Sequence, residues 1–274
     1  MLRSRLHKCV PLGQMALLLF SPWVPLYAQA LPAEEIVART QQVLFYPGND
    51  MKASMRMRLV SKEGSERLRE LTMLRKNLPE GGQQRYFIYF HSPGDVRGMT
   101  FMVWKHPPRD AERWLFLPAL NLVRRIAAND KRSSFVGSDF SYEDVSGREV
   151  GEDTHTLVRE ETLNGRPVFV IRSVPKDERS VDFSYRLAWI DKENFVLWRE
   201  EYYDKRDKLY KVFTGDEVKQ VQGWWTTLKR TMKNVQNGHW TEATFLEVEY
   251  NIGLPDDLFS ERYLRNPPAR WVRR

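Results

Sequence analysis

The chain has 274 residues, 42% hydrophobic and 29% charged, with a net charge of +7 and a single Cys. That composition excludes disordered and collagen-like chains. One Cys excludes an internal disulfide or a thiolate zinc site, and the length suits one large domain or two small ones.

The first thirty residues read as an export signal. Arg3, Arg5 and Lys8 give a basic start, residues 10–24 are mostly apolar and uncharged, and Ala28-Gln29-Ala30 offers small residues for cleavage after Ala30. Pro11, Pro22 and Pro25 leave too short a clean apolar run to span about 30 Å of hydrocarbon. Cys9 precedes the apolar region and is expected to leave with the signal. Removing the three basic residues of this leader lowers the charge from +7 to +4 on a Cys-free chain of 274 less 30 residues. The expected location is the bacterial periplasm, where a Cys-free chain needs no disulfide chemistry. A mild basic surplus fits contact with anionic membrane surfaces. The bases alternate with acids and form no stripe for nucleic acid.

Residues 33–46 have helical spacing through Ala33, Ile36, Val37, Thr40, Val43 and Leu44, with Glu34 and Glu35 in the first turn and Pro47-Gly48-Asn49-Asp50 as the stop. Period-two alternation then takes over. Met51, Ala53, Met55, Met57 and Leu59 share one face of a first strand, and residues 66–76 form a charged second. Tyr86, Ile88 and Phe90 mark a third, Met99, Phe101 and Val103 a fourth, Trp114 and Phe116 a fifth, and Leu122 to Ile126 a short sixth. Residues 166–174 follow, then Val181, Phe183, Tyr185, Leu187 and Trp189, the clearest alternation in the chain. Further strands read at 195–204, 208–217, 224–236 and 240–250, with turns such as Asn164-Gly165 and Asn237-Gly238 between them. Residues 127–160 show little alternation, with a short helix expected at 139–145, and Pro255 opens another. The expectation is ten or eleven antiparallel strands in one domain, since the connections are too short for parallel crossovers.

Catalytic and metal motifs are missing. His91, His106, His155 and His239 have no metal spacing, and there is no Gly-x-Ser-x-Gly elbow, phosphate loop or dinucleotide fingerprint. No enzyme activity and no cofactor are therefore expected. Asp139, Glu143 and Asp144 are the best acidic cluster. They read either as acids or calcium ligands, or as helix charges with Ser138 or Asp139 as the cap. Methionines and aromatics on strand faces suit an adaptable apolar ligand as well as an ordinary core.

Residues 114–144 contain Trp-Leu-Phe-Leu-Pro-Ala-Leu-Asn-Leu-Val-Arg-Arg-Ile and then Ser-Ser-Phe-Val-Gly-Ser-Asp-Phe-Ser-Tyr-Glu-Asp. This resembles the signature of the LolA-like outer membrane lipoprotein-sorting family. Trp189-Ile190-Asp191, Leu197 to Asp204, Asn234 to His239 and Leu258-Phe259 to Tyr263-Leu264 resemble its other segments. The resemblance implies a mainly β (α+β) fold, a curved antiparallel half-barrel under a helical lid. It implies a periplasmic carrier of lipid or lipoprotein acyl chains, and, by association, an RND/MMPL-type exporter as partner. The expected ligand wall comprises Met55, Met57, Leu59, Phe101, Val103, Trp114, Phe116, Phe183, Tyr185, Leu187 and Trp189. In the expected lid, Phe135, Phe140 and Tyr142 plug the mouth. Arg124 or Arg125 either latches to Asp139 or Glu143, meets a lipid phosphate, or forms a surface ion pair.

A carrier must hide its cargo, because each buried methylene is worth about 0.8 kcal/mol and a chain of about sixteen carbons on the order of 12 kcal/mol. The same pocket would serve a lipid-sensing adaptor docked on an exporter or signalling protein, which would not transfer its cargo. An outer-membrane barrel is disfavoured, because residues 66–76 and 199–208 carry charge on both faces.

Overall fold

The computed structural model describes residues 31–273. The expected leader and Cys9 lie outside the described residues. Helix α1 (Ala33–Phe45) is followed by β1 (Asp50–Val60), β2 (Glu66–Asn77), β3 (Gln84–Ser92), β4 (Thr100–His106), β5 (Arg109–Leu117) and β6 (Leu122–Ile126). A segment containing the short helix α2 (Tyr142–Ser146) intervenes. Then come β7 (Asp153–Leu163), β8 (Arg166–Pro175), β9 (Phe183–Asp191), β10 (Leu197–Asp204), β11 (Leu209–Val221), β12 (Trp224–Asn234) and β13 (Trp240–Tyr250). Two one-turn helices, α3 (Arg262–Arg265) and α4 (Ala269–Val272), end the described chain.

Among the described residues there are thirteen strands rather than ten or eleven, all in one antiparallel sheet. Twelve of them match segments marked in the sequence, and the one without a counterpart there is β7. It is an edge strand, largely exposed on both faces, with a register shift between Leu157 and Arg159, so it has no apolar alternation to read. The expected helix at 139–145 shrinks to α2. Its cap is Ser141, which forms a capping box with Asp144, and not Ser138 or Asp139.

The sheet order is β6-β5-β4-β3-β2-β1-β13-β12-β11-β10-β9-β8-β7. The first and last strands pair in its middle, Met51 opposite Tyr250 and Val60 opposite Trp240. The two free edges are therefore β6 and β7, which are consecutive in sequence. The chain between them, residues 127–152, has to run from one edge to the other. It does so across the inner face. Phe135 packs on Phe90 and Phe101 of β3 and β4, at 6.0 and 5.3 Å between ring centres. Arg132 lies over the rings of Phe183 and Tyr202 of β9 and β10. The lid is thus the connection that an open antiparallel sheet with these edges requires.

The outer face of β2–β5 is covered separately. Leu74, Phe87, Met102, Trp114 and Phe116 pack against Leu254, Leu258, Phe259, Leu264 and Val272 of the C-terminal segment. Thr100 and Trp104 donate hydrogen bonds to the carbonyls of Leu264 and Phe259, at 2.7 and 2.8 Å.

Candidate functional site

A cavity of about 190 Å³ lies between the inner face of the sheet, α1 and the lid. Its floor includes Met51, Met55 and Met57 of β1, Met73 of β2, Phe213 of β11, Met232 of β12 and Phe245 of β13. Val43, Leu44 and Phe45 of α1 and Phe135, Phe140 and Val145 of the lid form the roof. Five methionines on one surface make a wall that can change shape at small cost. A Cβ on Gly147 would lie 2.7 Å from the Phe45 ring, so only glycine lets the lid pack this closely on α1.

One end of the cavity is ionic. Glu143, on α2, lies 3.1 Å from Arg132, 3.3 Å from Lys131 and 3.5 Å from Arg148. Arg148 reaches Asp153 at 3.0 Å, Asp153 meets Arg186 at 2.6 Å, and Arg186 meets Glu200 at 2.8 Å. Tyr202 donates to Glu200 at 2.8 Å. Burial opposes ionisation of Glu143, but the charges of Arg132, Arg148, Lys131 and Arg113 outweigh it and hold the carboxyl below its usual range. This network ties the lid to β7, β9 and β10.

The other end has two arginines that form no ion pair. Arg75 of β2 donates to the carbonyls of Phe45, at 2.5 Å, and Pro47, fastening the C-terminal end of α1. Arg230 of β12 lies over the Phe245 ring at 4.7 Å and donates to the Thr227 carbonyl at 3.3 Å. Among the described residues, neither has a carboxylate within ion-pair distance, and the Nε of each is buried without a partner. Burial pushes the Arg230 guanidinium down to about 10, partly offset by Tyr250 and Tyr86.

The expected site residues separate into three groups. Met55, Met57, Phe135, Phe140 and Glu143 line the cavity. Leu59, Phe101, Val103, Phe183 and Tyr142 are buried in the apolar cluster around it. Tyr142 packs on Phe101 and Phe135, at 5.3 and 5.6 Å. The rest lie elsewhere. Trp114 and Phe116 face outward, under the C-terminal segment.

Leu187 and Trp189 also lie outside the inner cluster, with Val168, Val170 and Trp198. Tyr185 stacks on Tyr203 and beneath Arg172. The cause is a register shift at Ser184, where Asp204 pairs with Phe183 but Tyr203 with Tyr185. The extra residue turns the alternation over. Phe183 stays inside, and Arg186, Ala188 and Ile190 take the inner face after it.

The expected latches are also different. Arg124 pairs with Asp130 at 3.6 Å and Arg125 with Glu112 at 2.6 Å, both on the surface. Asp139 meets His239 at 2.6 Å and accepts from Thr241 at 2.7 Å, tying the lid to the β12–β13 hairpin.

Sequence reasoning missed Arg75, Arg132, Arg148, Arg186, Glu200 and Arg230, all of which line the cavity. A charged residue in an alternating strand signals the solvent face, and Arg75, Arg186, Glu200 and Arg230 break that rule, while Arg132 and Arg148 lie in the connection, where no alternation was there to read. Arg230 two residues before Met232 was the available signal, since period two puts both on one face.

An open antiparallel sheet with few helices, its two edges joined across one face, is the architecture of the LolA-like class of folds. A family model described as "Uncharacterized protein" matches residues 82–266, more than half of the chain. The chain belongs to that family, and its fold is LolA-like. It is similar to a crystal structure described as an outer membrane lipoprotein-sorting protein domain from Vibrio parahaemolyticus, with 28% identity over 85% of this chain and 98% of that one and a TM-score of 0.79. A DUF1329 family protein from Desulfovibrio piger is 28% identical over 85% of this chain and 97% of that one, also with a TM-score of 0.79. A LolA superfamily protein from Nitrosomonas europaea shares the fold, at 18% identity over 85% and 100% of the two chains and a TM-score of 0.68. No curated protein matches the chain.

Proposed function

We propose that this chain is a periplasmic carrier, exported by a leader cleaved after Ala30. Residues 31–274 would act as one lipid-carrying domain that holds the acyl chains of a lipid or lipoprotein under the lid. The observation that carries this reading is the methionine-lined cavity roofed by the one connection that joins the two sheet edges. The lipoprotein-sorting description of the Vibrio parahaemolyticus structure supports it. Delivery towards the outer membrane or to an RND/MMPL-type exporter completes the proposal.

At about 190 Å³ the cavity is smaller than the roughly 300–1,000 Å³ of ordinary ligand pockets. The structure therefore corresponds to a closed form, and loading requires α1 and the lid to move outward. Polar latches suit that motion. The ion pairs around Glu143 are exchanged for water on opening, so the lid need not expose a wholly apolar seam.

Native mass spectrometry of the protein isolated from periplasm, followed by lipid analysis after denaturation, tests the proposal. A discrete added mass belonging to a lipid or acylated protein is expected. An unliganded mass that stays unchanged after incubation with phospholipid vesicles would reject the carrier. A lipid that binds but is never passed from donor to acceptor vesicles would favour the sensing adaptor.

A further inference from the structure

The cavity is apolar along its floor but not neutral. At its ionic end every arginine lining it faces a carboxylate: Arg132 and Arg148 face Glu143, and Arg186 faces Glu200. Arg75 and Arg230 have no such partner. Both sense the phenols of Tyr86 and Tyr250, which also line the cavity, and Arg75 also senses the buried carboxylate of Asp50, which Arg230 does not. Four cationic or hydroxylic side chains thus gather at one end of a methionine-lined space.

The two arginines are not equivalent. Arg75 spends both terminal nitrogens on the carbonyls of Phe45 and Pro47. Arg230 makes one hydrogen bond, through Nη2 to Thr227 at 3.3 Å, and keeps donor capacity beside the cavity. A guanidinium removed from water without a counter-charge is costly, and an anion from outside relieves that cost. The planar fork of Arg suits the two oxygens of a carboxylate or phosphate.

Building on the carrier reading, we propose that the cargo is an anionic amphiphile whose carboxylate or phosphate pairs with Arg230 inside the cavity while its acyl chain lies along Met51, Met55, Met57 and Met232. The head group enters and the tail follows the methionine floor. Arg75 adds positive potential from the end of α1.

The test compares four probes on the delipidated protein by isothermal titration calorimetry: palmitate, palmitoyl lysophosphatidic acid, palmitic acid methyl ester and inorganic phosphate. At least one of the two anionic amphiphiles is expected to bind about tenfold or more tightly than the ester, the scale of one charge-assisted hydrogen bond. The tighter of the two identifies a carboxylate or a phosphate head. Arg230→Gln is expected to abolish the preference while retaining ester binding, and Arg230→Lys to keep part of it.

Equal affinity for charged and neutral probes would overturn the anionic head group and leave the carrier standing. So would a preference that survives in a folded Arg230→Gln protein. Inorganic phosphate binding as tightly as the amphiphiles would overturn the role of the tail. Failure of every acylated probe to bind would reject the carrier reading itself, and the head-group assignment with it.

Discussion

Asp139 in the lid lies 2.6 Å from His239 in the hairpin between β12 and β13, with one carboxylate oxygen shared between His239 and Thr241. The Asp139 amide in turn donates to Thr241 at 3.0 Å. The lid, tied at its ion network to β7, β9 and β10, is thereby also pinned near its midpoint to the centre of the sheet. Asp139→Ala leaves a buried Thr241 hydroxyl without its acceptor, and a cost of about 1–3 kcal/mol is expected. Hydrogen exchange should accelerate in residues 133–146, with β2, β3 and β13 unchanged. Equal protection in variant and wild type would show that the pin holds nothing.

Gly147 is the second point of closure. Its backbone sits at φ 80 and ψ 157, a conformation essentially reserved for glycine. Gly147→Ala adds a methyl group 2.7 Å from the Phe45 ring on top of backbone strain of about 1–3 kcal/mol. A lower urea midpoint is expected. Phe45→Leu in the same background should recover part of it by giving the methyl room.

The register shift at Ser184 and the cavity lining make opposite predictions for two apolar positions. Leu187 is on the outer face, so Leu187→Glu should leave uptake of a fluorescent fatty acid unchanged. Met55 lines the cavity, and Met55→Gln keeps its length while facing the ligand with an amide. Weaker uptake by about tenfold is expected, since a polar group buried without a partner costs about 1–3 kcal/mol. Uptake lost in Leu187→Glu but not in Met55→Gln would place the ligand on the other face.

The ion network makes closure depend on pH. Because the Glu143 carboxyl is held below its usual range in the folded chain, its contribution is present above the unfolded value and lost as pH falls through the folded one. The urea midpoint should therefore drop steeply below about pH 4. Glu143→Gln should be less stable at neutral pH by about 3–5 kcal/mol, because it leaves buried cations without their anion. It should also lose less stability on acidification. A wild type and variant with parallel pH profiles would mean that Glu143 is not the titrating group.

Strand identity was largely a matter of local pattern, and the sequence determined it. Met51 to Leu59 alternates apolar and polar because one face of β1 is buried and the other is not, and period two records that directly. Helix α1 and the turns at Asn164-Gly165 and Asn237-Gly238 were legible for the same local reason. The sequence also marked residues 127–160 as a break in the alternation, of which 127–152 is irregular and 153–160 belongs to β7. It did not determine which apolar face is inside. Trp114, Leu187 and Trp189 alternate as well as Met55 does, but both faces of this sheet bury apolar side chains. Periodicity reports that a face is covered, not by what. Only the tertiary structure could decide that a C-terminal segment covers β2–β5 from outside and that one extra residue at Ser184 turns β9 over. The charged ends of the cavity were hidden too, because a buried arginine reads as a solvent-facing one until the carboxylate or the empty space opposite it is in place.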